Sequence, residues 1–149
     1  MRQESETNFF AVLHLSDLVA PFLAGKARAT IINVSSGLGF CPIAFMTVYC
    51  ATNAFVHSAT MSMRHSLRPK GIEVVEIIPP EVDTELGKER RTDPKQSHGG
   101  TPLPDFIAGV FQGLEAGKAE TPYCGFFFSQ DMGWETVTPA TIVGFHNLG

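Results

Sequence analysis

The sequence is poor in charged residues and contains no long apolar run. Charged side chains make up 17% of its 149 residues and hydrophobic side chains 44%, which argues against disorder and allows one packed domain. The formal net charge of -4 predicts no basic surface of the kind that nucleic acids require, so no nucleic-acid partner is expected. No stretch approaches the roughly 20 apolar residues of a membrane span, and no membrane association is expected.

Cysteine is also scarce. Cys41, Cys50 and Cys124 are odd in number and lack both metal-site and CxxC spacing, so they are predicted to be reduced thiols, and no metal is expected. The polar start of the chain is unlike a signal peptide. These features together predict a soluble, cytoplasmic protein.

Helical periodicity is present in three segments. Apolar residues recur at helical intervals, which predicts helices over residues 7–20, 47–68 and 104–116. Ser5 or Thr7 can cap the first helix and Pro21 marks its end. Gly71 and Gly117 are stop signals for the other two.

Strand patterns alternate with these helices. Residues 29–34 form a continuous apolar run that predicts a strand buried on both faces, and residues 72–78 predict a second strand parallel to it. Residues 123–128 predict a third, short strand. The polar segment 87–103 is expected to be a loop, and residues 129–149 have no readable periodicity. The alternation predicts an α/β fold.

Two hydroxyl side chains lie thirteen positions apart at the centre of this pattern. Ser36 leaves the carboxyl end of the first strand, where open α/β sheets bind ligands, and Tyr49 begins the long helix. Two hydroxyls on one small polar group make a site for proton transfer to or from a carbonyl oxygen. Asn53 lies one helical turn after Tyr49, where such a site would use a cation. From the residues alone, Asn8 is an ordinary polar side chain near a helix end.

Three motifs in this order resemble the short-chain dehydrogenase/reductase family: residues 32–37 (INVSSG), 49–54 (YCATNA) and 77–84 (IIPPEVDT). The last motif is similar to the DltE-like oxidoreductase branch of that family. The resemblance covers about residues 7–128. It implies that residues 1–128 form a partial Rossmann-like fold, the carboxyl-terminal half of a doubly wound parallel sheet. Residues 129–149 would then be a tail of uncertain structure.

The resemblance also implies roles for individual residues. Ser36 would hold the substrate oxygen, Tyr49 would act as general acid or base, and Asn8 would belong to the proton relay. The implied reaction is hydride transfer between NAD(P)(H) and a small carbonyl or alcohol substrate. The residues that match the family's contacts to NADP or NAD are Tyr49, Pro80, Val82 and Thr84.

The sequence departs from the family pattern in two ways. Asn53 replaces a lysine that holds the cofactor ribose and lowers the tyrosine pKa in the family, and asparagine offers only amide hydrogen bonds. The sequence also contains no G-x-G-x-x-G turn, and Gly37-Leu38-Gly39 follows the wrong strand for one. Impaired activity is therefore expected, with alcohol oxidation affected more than carbonyl reduction.

Three interpretations remain open at this point. The chain is an oxidoreductase of this family, or it is a non-catalytic pseudoenzyme that pairs with itself or with family subunits through helices 7–20 and 47–68. The third is a gene product truncated at its amino terminus. Cofactor binding and size in solution separate the first two, and Asn53→Lys alone is expected to restore little activity.

Overall fold

The computed structural model describes residues 2–86 and 100–122, which form helices packed on a parallel sheet. The helices are α1 (Arg2–Ser5), α2 (Ala11–Leu23), α3 (Thr47–Leu67) and α4 (Leu103–Glu115). The strands are β1 (Thr30–Val34), β2 (Glu73–Ile78), β3 (Val82–Asp83), β4 (Thr101–Pro102) and β5 (Glu120–Pro122). A π-helical turn (Glu6–Phe10) joins α1 to α2, and 3-10 turns are formed by Gly37–Gly39, Ala44–Met46 and Arg68–Lys70.

β1, β2 and β5 form one parallel sheet with β2 in the middle, and β3 pairs with β4 in a separate parallel ladder. Because parallel strands end at the same edge, the segments that follow β1 and β2 meet there. The Ser35 N–H donates to the Ile77 carbonyl at 3.0 Å, and the Gly37 N–H donates to the Pro79 carbonyl at 3.0 Å. The predicted α/β fold with a parallel strand pair is confirmed.

A small apolar core joins the sheet to α2 and α3. Its buried members are Ala20, Ala29, Ile31, Leu67, Ile72 and Val74, and Leu23 and Met63 pack against them. Each buried isoleucine, leucine or valine among them stabilises the fold by about 1.5–3 kcal/mol. This core fixes the long helix α3 against the strands that lead to the candidate site.

The prediction that β1 is buried on both faces is wrong for the described residues. Ile31 and Asn33 are buried, whereas Ile32 and Val34 on the opposite face are 45% and 57% exposed. Within residues 2–86 and 100–122, helices cover only one face of this strand. β2 has buried positions on both faces, as expected for a central strand.

The ends of the first helix also differ from the prediction. Helical backbone begins at Arg2, Ser5 makes no capping hydrogen bond, and α2 continues through Pro21 to Leu23. Proline lacks one backbone donor but does not end the helix here, and the Ala24 N–H closes the last turn on the Ala20 carbonyl at 3.0 Å.

The other predicted boundaries agree more closely. The long helix and the second strand are confirmed to within a residue or two, and Gly71 and Gly117 follow helices with left-handed φ angles of 74° and 66°.

The third strand of the sheet is β5. The strand predicted over residues 123–128, the tail 129–149 and the loop residues 87–99 lie outside the described residues, and residues 101–102 form β4 instead of loop. None of the described helices has the length and hydropathy to span a bilayer.

Candidate active site

Ser36 stands at the carboxyl end of β1 with extended backbone, φ -154° and ψ 150°. The residue is buried, and its Oγ accepts a hydrogen bond from the Leu38 N–H at 3.2 Å. This bond caps the 3-10 turn Gly37–Gly39. Because a hydroxyl has one hydrogen and two lone pairs, Ser36 retains a hydrogen to donate to a ligand.

The turn after Ser36 packs tightly on α3. A Cβ at Gly39 would lie 2.9 Å from the backbone nitrogen of Ala54 and 2.9 Å from the backbone carbon of Asn53, so only glycine fits without displacement. This contact falls one helical turn after Tyr49. The predicted serine and tyrosine are therefore carried by segments that touch.

Tyr49 lies in the first turn of α3 and is half-buried. The adjacent Cys50 accepts a hydrogen bond from the Ile43 N–H at 3.4 Å, which ties the incoming chain to the helix start. The Tyr49 hydroxyl has no hydrogen-bond partner among the described residues. It is thus available to a ligand.

The predicted Asn8 lies in the π-helical turn Glu6–Phe10, next to α3. Its Nδ2 donates to Thr52 Oγ1 at 3.5 Å, and the Thr52 hydroxyl donates to the Tyr49 carbonyl at 3.0 Å. Turns of π helix occur frequently at functional sites. The structure brings Asn8 to the tyrosine helix through Thr52, a residue that the sequence analysis did not select.

Asn53 is buried, and its side chain folds back along its own helix. Nδ2 donates to the Tyr49 carbonyl at 2.9 Å, so the amide is already engaged by the backbone. A neutral amide in this arrangement contributes no positive charge near the Tyr49 hydroxyl.

The predicted cofactor contacts follow β2 at the same edge of the sheet. Pro80, Val82 and Thr84 are half-buried, and Val82 belongs to β3. Thr84 Oγ1 accepts a hydrogen bond from the Leu86 N–H at 3.3 Å. Since the Gly37 N–H donates to the carbonyl of Pro79, the residue after β2, this segment is joined to the loop that carries Ser36.

A buried polar network lies beneath that loop. The carboxylate of Glu76, 0% exposed, accepts a hydrogen bond from Ser35 Oγ at 2.5 Å and lies 2.8 Å from His57 Nδ1. None of these residues was predicted from the sequence. A glutamate in the middle of the apolar strand β2 was the available signal, because an isolated buried charge requires partners.

Three side chains of the described residues could in principle ligate a metal: His57, Glu76 and Glu120 place their ligand atoms within 4.8 Å of one another. Arg64 Nη1 already lies 3.0 Å from Glu120 Oε1, and the same guanidinium donates to two backbone carbonyls at 3.0 Å. A cation would have to displace that arginine as well as the Glu76 hydrogen bonds. The donor set therefore fits a structural network better than a metal centre.

Burial also controls the chemistry of a cysteine near this loop. Burial raises the pKa of the Cys41 thiol above its ordinary value, because the thiolate would lose solvation. The neutral thiol is the weaker nucleophile, so Cys41 is not a candidate for covalent catalysis.

Comparison with known proteins adds the family. A sequence model described as short chain dehydrogenase matches residues 1–95. The chain is 41% identical over 117 residues to the uncharacterized oxidoreductase DltE of Bacillus subtilis, covering 78% of this chain and 46% of that protein. It is 33% identical over 84 residues to the human very-long-chain 3-oxoacyl-CoA reductase, covering 56% of this chain and 27% of that protein. The chain thus spans less than half the length of these relatives.

Solved structures show the same fold at lower identity. A short-chain dehydrogenase from Sphingobium yanoikuyae in complex with NADPH superposes with a TM-score of 0.73 at 23% identity, covering 95% of this chain and 52% of that one. A short chain dehydrogenase from Burkholderia cenocepacia in complex with NADP gives 0.72 at 22% identity, covering 99% and 59%. With its partial Rossmann-like sheet and the family match over most of its length, the chain belongs to the short chain dehydrogenase family.

Proposed function

We propose that the chain carries the substrate-binding and proton-donating part of a nicotinamide-dependent carbonyl reductase. The observation that carries the proposal is the pairing of Ser36, at the end of β1, with a Tyr49 hydroxyl that has no partner within the described residues. The two are held on segments in direct contact through Gly39. Such a hydroxyl pair can bind one carbonyl oxygen and donate to it.

In the proposed mechanism, the Ser36 hydroxyl donates a hydrogen bond to the substrate carbonyl oxygen and orients it. The phenol of Tyr49 then gives its proton to that oxygen as negative charge develops there. A bound NADPH or NADH would supply the hydride for the carbonyl carbon. The tyrosine recovers its proton from solvent, and Asn8 and Thr52 support the helix start at which this exchange takes place.

The residues after β2 fit the nicotinamide end of such a cofactor. Pro80, Val82 and Thr84 form a half-buried segment at the carboxyl edge of the sheet, where this class of fold binds its ligands. NADP is the first choice to test, since two of the similar solved structures contain NADPH or NADP. NAD is the alternative, as in the dehydrogenase of Burkholderia phymatum.

Asn53 favours reduction over oxidation in this scheme. Oxidation of an alcohol requires the tyrosinate as base, and the Asn53 amide, bonded to the Tyr49 carbonyl, brings no cation to stabilise that anion. Reduction uses the neutral phenol as acid. We therefore propose that carbonyl compounds are the substrates and that turnover is slow.

The experiment is a titration of the purified chain with NADPH and NADH, followed by cofactor fluorescence and by melting temperature. Saturable binding, followed by cofactor consumption with a panel of carbonyl compounds, is the expected result. The absence of binding up to millimolar cofactor would refute the proposal.

A second candidate function is a non-catalytic subunit that pairs with a copy of itself through α2 and α3. The observation in its favour is the apolar surface of α2, where Leu15, Leu18 and Phe22 are 59%, 64% and 72% exposed. Apolar groups clustered on one helix surface mark interaction sites. A cytoplasmic location also belongs to this proposal, in keeping with the free thiols of Cys41 and Cys50.

A further inference from the structure

The loop that carries Ser36 rests on a buried histidine–carboxylate pair. We infer that His57 and Glu76 are positioning residues, which fix the position of this loop relative to Tyr49. The expected effect on the reaction rate rests on the proposed function of Ser36 and Tyr49. The expected effect on the position of the loop rests on the contacts alone.

The first contact runs through the residue before Ser36. Ser35 Oγ donates to Glu76 Oε1 at 2.5 Å, and His57 Nδ1 lies 2.8 Å from Glu76 Oε2. The Ser35 hydroxyl is the donor to Oε1, and the His57 imidazole donates to Oε2 in the tautomer that carries its hydrogen on Nδ1. Glu76 is fully buried, so both of its oxygens require such donors. Ser35 just after β1, Glu76 on β2 and His57 on α3 are thereby joined.

The second contact runs through the residue after the 3-10 turn. The ring of Phe40 meets the imidazole of His57 edge to face, with centroids 4.4 Å apart and an interplanar angle of 60°. The Phe40 N–H donates to the Gly37 carbonyl at 3.0 Å, so this ring is anchored to the turn. His57 therefore supports the loop on both sides of Ser36.

His57 also belongs to the helix that carries Tyr49. The two residues are eight positions apart in α3, about 12 Å along a rigid helix. A change at His57 would move the Ser36 loop relative to α3 and so relative to Tyr49. Misplacement by about 1 Å can lower a rate about 100-fold, because proton donation depends on alignment.

No described contact connects His57 or Glu76 to the hydroxyls of Ser36 or Tyr49. The remaining charged groups of the network, Arg64 and Glu120, pair with each other at 3.0 Å. The two residues thus act through the loop and are not themselves catalytic.

The test compares His57→Phe with Glu76→Gln. His57→Phe keeps a ring against Phe40 but removes the donor to Glu76. Glu76→Gln preserves the geometry, since its amide oxygen accepts from Ser35 and its amide nitrogen donates to His57 in the other tautomer. Ser35→Ala is a milder third variant, which carries the test if His57→Phe does not fold.

The first readout is amide hydrogen exchange, which does not depend on activity. For His57→Phe we expect amide exchange at residues 37–41 to accelerate about 10-fold or more relative to exchange at Gly71 and Ile72. Ser35→Ala should give a smaller increase. Glu76→Gln should change the exchange rate by less than about 2-fold. A uniform acceleration along the chain, or an unchanged loop, would overturn the inference.

The second readout is kinetic. With a carbonyl substrate, His57→Phe should lower kcat about 100-fold while KM and cofactor affinity change less than about 3-fold, and Glu76→Gln should retain most of the activity. Equal damage by both variants would show that charge, and not position, is essential, which contradicts the inference. If the unmodified chain has no activity, the proposed function fails, and the exchange experiment still decides whether the pair positions the loop.

Discussion

At the scale of single residues, Tyr49 and Asn53 set what the candidate site can do. The tyrosine hydroxyl is without a partner in the described part of the chain, and the asparagine amide is bonded to the Tyr49 carbonyl at 2.9 Å. The site therefore has a proton donor but, from Asn53, no charge to stabilise its conjugate base. The predicted consequence is an acid catalyst that works in the direction of reduction.

Replacing Tyr49 with phenylalanine tests this assignment. We expect carbonyl reduction to fall about 100- to 10,000-fold, because the general acid is removed. The free energy of unfolding should change by less than about 0.5 kcal/mol, because no hydrogen bond within the described structure is lost. Initial rates of cofactor consumption and chemical denaturation measure the two effects.

Tyr123→Phe is the matched control, since it changes the chain's other tyrosine. An equal loss of rate in both variants, or a full rate in Tyr49→Phe, would contradict the role of Tyr49.

At the scale of secondary-structure elements, α3 is the part to which the candidate site is attached. The Ser36 loop packs on it at Gly39, the π-helical turn bonds to it through Asn8, and Arg64 ties it to the sheet. The side of α3 that faces the sheet is partly polar, because Asn33 of β1 donates a hydrogen bond to Thr60 of α3 at 2.9 Å. Directional hydrogen bonds fix the helix position more narrowly than apolar contacts alone, which suits the proposed role of α3 in aligning two hydroxyls.

Gly39→Ala should destabilise the fold by about 1–3 kcal/mol, because the new methyl group would overlap the α3 backbone. Chemical denaturation gives the value. Gly71→Ala is the comparison, because a Cβ at this position would meet no atom within 4 Å. This variant should lower the unfolding free energy by about 1 kcal/mol, because alanine disfavours the left-handed backbone conformation of Gly71. Only the Gly39 variant should also loosen the Ser36 loop, so equal exchange rates there in both variants would count against the packing argument.

Arg64→Lys should cost about 2 kcal/mol of unfolding free energy, because a lysine cannot reproduce three guanidinium bonds to Val74, Ala119 and Glu120. Urea denaturation measures the loss. Arg68→Lys is the matched control on the exposed 3-10 turn that follows α3, and it should be neutral. If Arg64→Lys left the unfolding free energy unchanged, the hydrogen bonds that Arg64 makes from α3 towards β5 would add nothing to stability.

At the scale of the whole molecule, the described residues leave several large apolar side chains exposed. Exposed apolar residues lie on α2, on one face of β1 and on α4. Surfaces of this kind favour association. Assembly is therefore the property that separates the two proposed functions most directly.

Leu18→Glu should shift the chain towards monomer, because a charge on the α2 surface would be buried in the proposed pairing of two copies. Sedimentation velocity over a range of concentrations measures the assembly state. Ile107→Glu places the same charge on α4 and should leave the assembly unchanged. A monomeric unmodified chain would rule out the pairing.

The sequence by itself determined the order of helices and strands, the parallel pairing of β1 with β2 and the three motifs of the family, because these depend on periodicity and local spacing. It did not determine that β1 is covered on one face only within the described residues, or that Pro21 lies inside a helix. The tertiary structure alone decided that Asn53 turns to the Tyr49 carbonyl and that Glu76 joins Ser35 to His57. Ser35 and Glu76 are 41 positions apart, and His57 and Glu76 are 19. Which polar groups become partners at such separations depends on distances in the folded chain, and those are set by packing.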